Sequence, residues 1–263
     1  MRLHRTVLLV LVAITALAGV GLTAGSSQTS KPKITLEQAP VLREAGRYTV
    51  TARVIEENGK RELRVRVLNN QRLFTGIVHA YFVTRDYAAL YFEYPDNRAP
   101  GDYVLEVPAM NPGTYDLILE ITGGNGHRHE NPDFVQTFGL GVDGRASPEE
   151  VRLFKRLGFK PVEPDVQPAG KPSRFEFGTL LDGEPIGWGD YYVHQFVLST
   201  DGAFFMHDHP RGVRKLGLGA VESSFTFPKP GQYVVFLFLE SGVRVDGKVV
   251  KPVLRYPHVF DVQ

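Results

Sequence analysis

"HQFVLSTDGAFFMHDHP" (194–210) aligns without gaps on "HAYFVTRDYAALYFEYP" (79–95). His79 meets His194, Asp86 meets Asp201 and Pro95 meets Pro210, with Tyr81/Phe196, Val83/Leu198 and Thr84/Ser199 as conservative pairs. Further along, "NPGTYDLILEI" (111–121) matches "KPGQYVVFLFL" (229–239), where Pro-Gly-x-Tyr opens a turn and then a strand. The same landmarks in the same order indicate an internal duplication. Each half is the size of a small β-sandwich.

The flanking sequence agrees with strands. "GRYTVTARVIEENGKRELRVRVLNN" (46–70) is two alternating runs around Asn58-Gly59, a pair that favours a two-residue hairpin turn because both central residues take positive φ. "FVQTFGLGV" (134–142), "QYVVFLFLESGVRVDGKVV" (232–250) and "HVFDV" (258–262) continue a pattern rich in Val, Ile, Tyr and Phe. "SPEEVRLFKRLGF" (147–159) differs: Ser147 as N-cap, Pro148 at the first helical position and Glu150 completing a capping box predict a short helix. Val151, Phe154 and Leu157 share one face of it. The expected fold is all-β: two tandem immunoglobulin-like β-sandwiches, residues 31–142 and 173–263, joined by a connector, 143–172, that carries this one helix.

The chain opens with Arg2 and Arg5, an apolar run from Val7 to Leu22 and then small residues. That order reads as a secretory signal peptide over residues 1–25, with an uncleaved N-terminal anchor as the alternative. The expected location is secreted or periplasmic, with membrane contact only through that segment. There is no cysteine, so neither disulfides nor a lipoprotein signal are available. Composition, at 43% hydrophobic and 22% charged, is that of a folded protein. A formal net charge of +1 provides no field for nucleic acid or anionic membrane.

The histidines carry the chemistry. Asp201-Gly202 lies between two strand-like runs and predicts a two-residue turn. That turn puts His194 opposite His209 and Phe196 opposite His207, with all four side chains on one face. Opposed Cβ atoms sit roughly 4.5–5.5 Å apart, close enough for two imidazoles to share an ion at about 2.0–2.1 Å, with His207 as the diagonal third. Three imidazoles from two strands suit Cu(II), Zn or Ni; the competing reading is a hydrogen-bonded polar strand end. The first half has Phe92 and Tyr94 at the positions of His207 and His209, and His79 stands alone. Met206 alternates toward the core, as packing rather than a thioether ligand. His258, His127 and His129 are additional candidate ligands; the last two sit in the loop "GGNGHRHENP", where solvated histidines are common. No strand–helix elbow surrounds Ser199 or Ser224 and no acid–base constellation stands out, so the chain reads as non-catalytic.

The order His-x-Phe-Val-Leu-Ser-x-Asp, Phe205, His207-x-His209-Pro210, then Phe-Pro-x-Pro-Gly-x-Tyr resembles bacterial exported YtkA-like β-sandwich proteins, some of which occur beside heavy-metal-handling proteins. The likeness covers about residues 192–240, with an echo at 79–121; Gly202 departs from the leucine usual after the aspartate. The resemblance implies His194, His207 and His209 as metal ligands. The expectation is therefore an exported copper- or zinc-binding protein for metal delivery or buffering. The alternatives are a structural or adhesive module with an envelope protein partner and, more weakly, a carbohydrate-binding module.

Overall fold

Strands with unbroken apolar runs bury both faces, whereas alternating strands bury one. Both kinds occur in this chain, and their arrangement follows from the difference. A computed structural model describes residues 34–44, 47–57, 60–108, 110–123, 134–142, 156–161, 166–185, 193–209, 214–217, 220–240, 242–251, 253–256 and 258–263. The expected signal or anchor (1–25), Asn58-Gly59, residues 147–155 of the expected helix, Trp188, His127 and His129 lie outside the described residues.

The described chain is nearly all β and its strand pairs are antiparallel. In the first half, Tyr48–Glu57, Lys60–Asn69, Asp102–Glu106 and Asp96–Ala99 form an alternating outer sheet. Leu63, Val65 and Val67 of its second strand point into the core, while Arg66 is exposed. Behind it lies an inner sheet of Ile34–Glu44, Phe134–Val142, Gly113–Thr122, Ile77–Thr84 and Leu90–Glu93. Val78, Ala80, Phe82, Leu117 and Leu119 complete the core between the two sheets.

The second half repeats this sandwich-like plan. Its inner sheet runs Phe205–Asp208, Val193–Ser199, Gly231–Leu239, Val253–Arg255, and Phe260–Val262 also pairs with Gly231–Leu239. Its outer sheet runs Leu157–Pro161, Pro172–Leu181, Ala220–Thr226, Arg214–Gly217. Phe175, Phe177, Val197, Val235 and Leu237 fill the space between. Met206 packs against this core.

The two inner sheets meet back to back. Tyr81, Val83, Leu90, Phe92, Ile118 and Val135 from the first half form a third apolar layer with Phe196, Leu198, Phe205, Val234, Phe236 and Phe238 from the second. This shared layer explains why Ile77–Thr84, Val193–Ser199 and Gly231–Leu239 are buried on both faces. It also joins the halves: residues 32–263 cluster as one compact unit.

Two expectations need correction. Residues Leu157–Pro161 of the expected connector are a strand that pairs with Pro172–Leu181, so the predicted helix does not extend to 159. Gly158 is a poor helix former, Phe159 favours strands, and Pro161 fits the end of an edge strand; buried Leu157 joins the second half's core. The turn after Ser199 is also wider than two residues. Ser199 N–H donates to the Phe204 carbonyl (3.0 Å) and Gly202 N–H to the Ser199 carbonyl (3.0 Å), leaving a four-residue connection. Its centre is still Asp201-Gly202, so the expected register holds, with Phe196 opposite His207.

The turn has the same construction in both halves. Thr84 and Ser199 receive backbone N–H donors on their hydroxyls, Ala89 N at 3.0 Å and Phe204 N at 2.8 Å. Asp86 and Asp201 accept from Ala88 N and Ala203 N, both at 3.0 Å. Gly202 takes φ +69°, and the matching residue in the first half is Tyr87 at φ +55°. A side chain in this left-handed region costs roughly 1–2 kcal/mol. Tyr87 offsets that by donating its hydroxyl across to the Ser199 and Thr200 carbonyls, at 3.3 and 3.4 Å. Likewise Tyr115 and Tyr233 each donate a hydroxyl to the carbonyl four residues upstream, Asn111 at 2.7 Å and Lys229 at 2.8 Å.

Candidate metal centre

His194 lies on the strand face that carries Phe196 and Leu198, the face turned to the shared apolar layer. His207 is on the adjacent strand opposite Phe196, and His209 follows that strand's end. His194 Nδ1 is 2.8 Å from His207 Nε2 and 2.9 Å from His209 Nε2. The structure thus brings together the three histidines singled out from sequence, with donor atoms all within 4.8 Å of one another. His207 is fully buried and His194 is 2% exposed. His258 does not join them: it is exposed and packs its ring against Tyr256.

The first half contributes residues that the sequence argument did not single out as ligands. On the neighbouring strands Ile77–Thr84 and Gly113–Thr122, His79 sits directly opposite Glu120. Glu120 Oε2 is 3.1 Å from His207 Nδ1 and 3.5 Å from His79 Nδ1. Tyr81 donates its hydroxyl to Glu120, and its oxygen is 2.8 Å from His207 Nδ1. His79, Glu120 and His207 form a second, fully buried group whose donor atoms also lie within 4.8 Å of one another. A signal for Glu120 existed in the sequence. In the repeat alignment it faces Phe238, so a carboxylate replaces an aromatic ring on a strand that is otherwise apolar at its core.

The partners fix the tautomers. His207 Nδ1 faces a carboxylate and the Tyr81 oxygen, both acceptors, so it carries the proton and Nε2 is left bare. His194 Nε2 lies 2.9 Å from Glu240 Oε2 and donates to it, which leaves His194 Nδ1 bare. The His194 and His207 rings are thereby each oriented by a carboxylate on the side away from the cluster, the usual way a metal-binding imidazole is oriented. Tyr94, partly exposed, lies over His79 and His194 at ring separations of 5.1 and 6.4 Å.

Burial governs the protonation of the group. It pushes His194 down to about 4, with the nearby His207 and His79 adding to the shift and Glu240 only partly opposing it. It also lowers His207, against the pull of Glu120. For Glu120, burial acts to raise the carboxyl, but hydrogen bonds and electrostatic attraction from His207 and His79 outweigh it and hold the group below the usual carboxylate range. Burial thus favours the neutral, cation-binding form of His194 and His207.

Donor spacing bears on geometry. Two nitrogens about 2.0–2.1 Å from one ion lie roughly 2.8–3.0 Å apart at a right angle and roughly 3.3–3.4 Å apart at the tetrahedral angle. The 2.8 and 2.9 Å separations about His194 are those of an N–H···N hydrogen bond and also lie in the right-angle range. These residues can hold a metal ion.

No protein-family model matches the chain, and no curated protein matches it.

Proposed function

We propose that this is an exported, non-catalytic metal-binding protein that buffers or delivers copper. In this reading it is built of two tandem immunoglobulin-like sandwiches and akin to the YtkA-like proteins it resembles at residues 192–240. His194 Nδ1, His207 Nε2 and His209 Nε2 are the ligands, and Glu240 and Glu120 aim the first two.

One observation carries the reading. Three imidazole nitrogens converge inside the protein, His194 Nδ1 lying 2.8 Å from His207 Nε2 and 2.9 Å from His209 Nε2. A proton is disfavoured there because burial lowers both imidazoles. A soft-to-borderline divalent metal suits three imidazole donors, Cu(II) among them. The general order of affinities points the same way.

The test is competitive titration of the purified full chain with Cu(II) and Zn(II) at pH 7. Tight Cu(II) binding with nitrogen hyperfine structure in its electron paramagnetic resonance (EPR) spectrum supports the reading. Binding of neither ion overturns it.

A further inference from the structure

His207 presents a nitrogen to each of two donor groups. Its Nε2 faces His194 and His209, while its Nδ1 faces Glu120, Tyr81 and, beyond Glu120, His79. We propose that His207 bridges two metal ions, the second held on its Nδ1 side by His79 and Glu120 of the first half, with Tyr81 as a further oxygen donor.

Three observations point there. The first is the repeat: His79 occupies in the first half the place His194 holds in the second, and each is directly opposite the matching position of the next strand, Glu120 or Phe238. The second half uses its strand histidine beside an aromatic ring; the first half sets a carboxylate there instead. The second observation is burial. His79, Glu120, Tyr81 and His207 are all fully buried within a layer otherwise made of Phe, Val, Leu and Ile. Hydrogen bonds from Tyr81 and His207 offset the buried Glu120 charge only in part, and a divalent cation offsets it fully. The third is the donor set. Two imidazole nitrogens, a carboxylate and a phenol oxygen make a closed four-donor site. Glu120 Oε2 is 3.1 and 3.5 Å from the two nitrogens, nearer the tetrahedral spacing than the separations about His194. The two positions therefore differ in donor type: an all-nitrogen set suited to Cu(II), and a mixed nitrogen–oxygen set suited to Zn.

The proton balance is explicit. When one ion sits at His207 Nε2, Nδ1 keeps its proton, shared between Tyr81 and Glu120. When the second ion binds, that proton leaves to solvent and His207 becomes an imidazolate joining both metals. The second site thus rests on the first ligand set being real.

Metal content of the full chain after loading with Cu(II) and Zn(II) and exhaustive dialysis decides it. Two ions per chain are expected, falling to one in Glu120→Gln and in His79→Phe. One ion in wild type overturns the second site and leaves the first standing. None overturns both, and two in wild type and in both variants overturns the location. Should the variants fail to fold, anomalous diffraction from wild-type crystals soaked in both metals gives the same decision. Two peaks roughly 6 Å apart on either side of the His207 ring support the bridge, and a single peak at Nε2 overturns it.

Discussion

The hairpin at 79–95 and the hairpin at 194–210 share a backbone and differ in chemistry. Tyr81 opposes Phe92 in one and Phe196 opposes His207 in the other, at the same register. Both turns use the same hydroxyl and carboxylate acceptors. What changes is a handful of side chains on one face. Phe92 and Tyr94 stand where the second half has His207 and His209, and on the next strand Glu120 stands where it has Phe238. The exchange is reciprocal: one copy supplies aromatic packing and a carboxylate, the other supplies imidazoles and packing. The frame fixes where the side chains meet, and a few substitutions decide whether that place is aromatic packing or a cluster of imidazoles.

Turning the second hairpin into the first gives the largest expected effect. His207→Phe/His209→Tyr copies residues that this backbone already accepts, so the chain should fold. Cu(II) affinity measured by calorimetry should fall more than 100-fold, beyond the 10–100-fold typical of losing only an orienting group. Stability should fall by about 1–3 kcal/mol because Glu120 loses a hydrogen-bond donor.

The shared apolar layer leads to the next expectation. Phe236→Ala, at its centre, should cost roughly 3–5 kcal/mol. Because the layer belongs to both halves, urea unfolding followed by the fluorescence of Trp188 and by far-UV circular dichroism should give one coincident transition. Two separate transitions would mean that the halves are energetically independent.

Protonation follows. In the unfolded chain His194 takes up a proton near pH 6.5, whereas in the fold it resists until about 4. Between those values the unfolded state binds more protons, so stability falls as pH drops. The metal-free protein should lose of order 3 kcal/mol through this window, read as a falling Tm, and His194→Gln should flatten the slope. For the same reason, proton competition at His194 should weaken Cu(II) binding well below pH 6 rather than at it.

Glu240→Gln should weaken Cu(II) binding about tenfold by releasing the His194 tautomer. Tyr87→Gly should shift stability by no more than about 1 kcal/mol, since relief of a strained φ opposes the loss of its weak hydrogen bonds to the other turn. His258→Ala should leave binding unchanged.

Much of this was legible in the sequence because strand registers follow from local pattern. The Asp-Gly position centred the second hairpin correctly even though the turn is wider than two residues, and alternation then placed His194, His207 and His209 together. The packing of the halves was not legible. Continuous apolar runs such as "VVFLFL" reveal that both faces are covered without saying by what. Glu120 was missed for that reason: it reaches His207 only across the shared layer, at a sequence separation that local pattern does not span. The helix expected over 147–159 had sound capping residues, yet at Leu157–Pro161 strand pairing and burial of Leu157 prevailed over local propensity.

Cu(II) titration of wild type against His207→Phe at pH 7, followed by calorimetry and EPR, tests the central claim most directly. The expected result is tight binding with nitrogen hyperfine structure in wild type and its loss in the variant. Equal binding by both proteins would contradict the site.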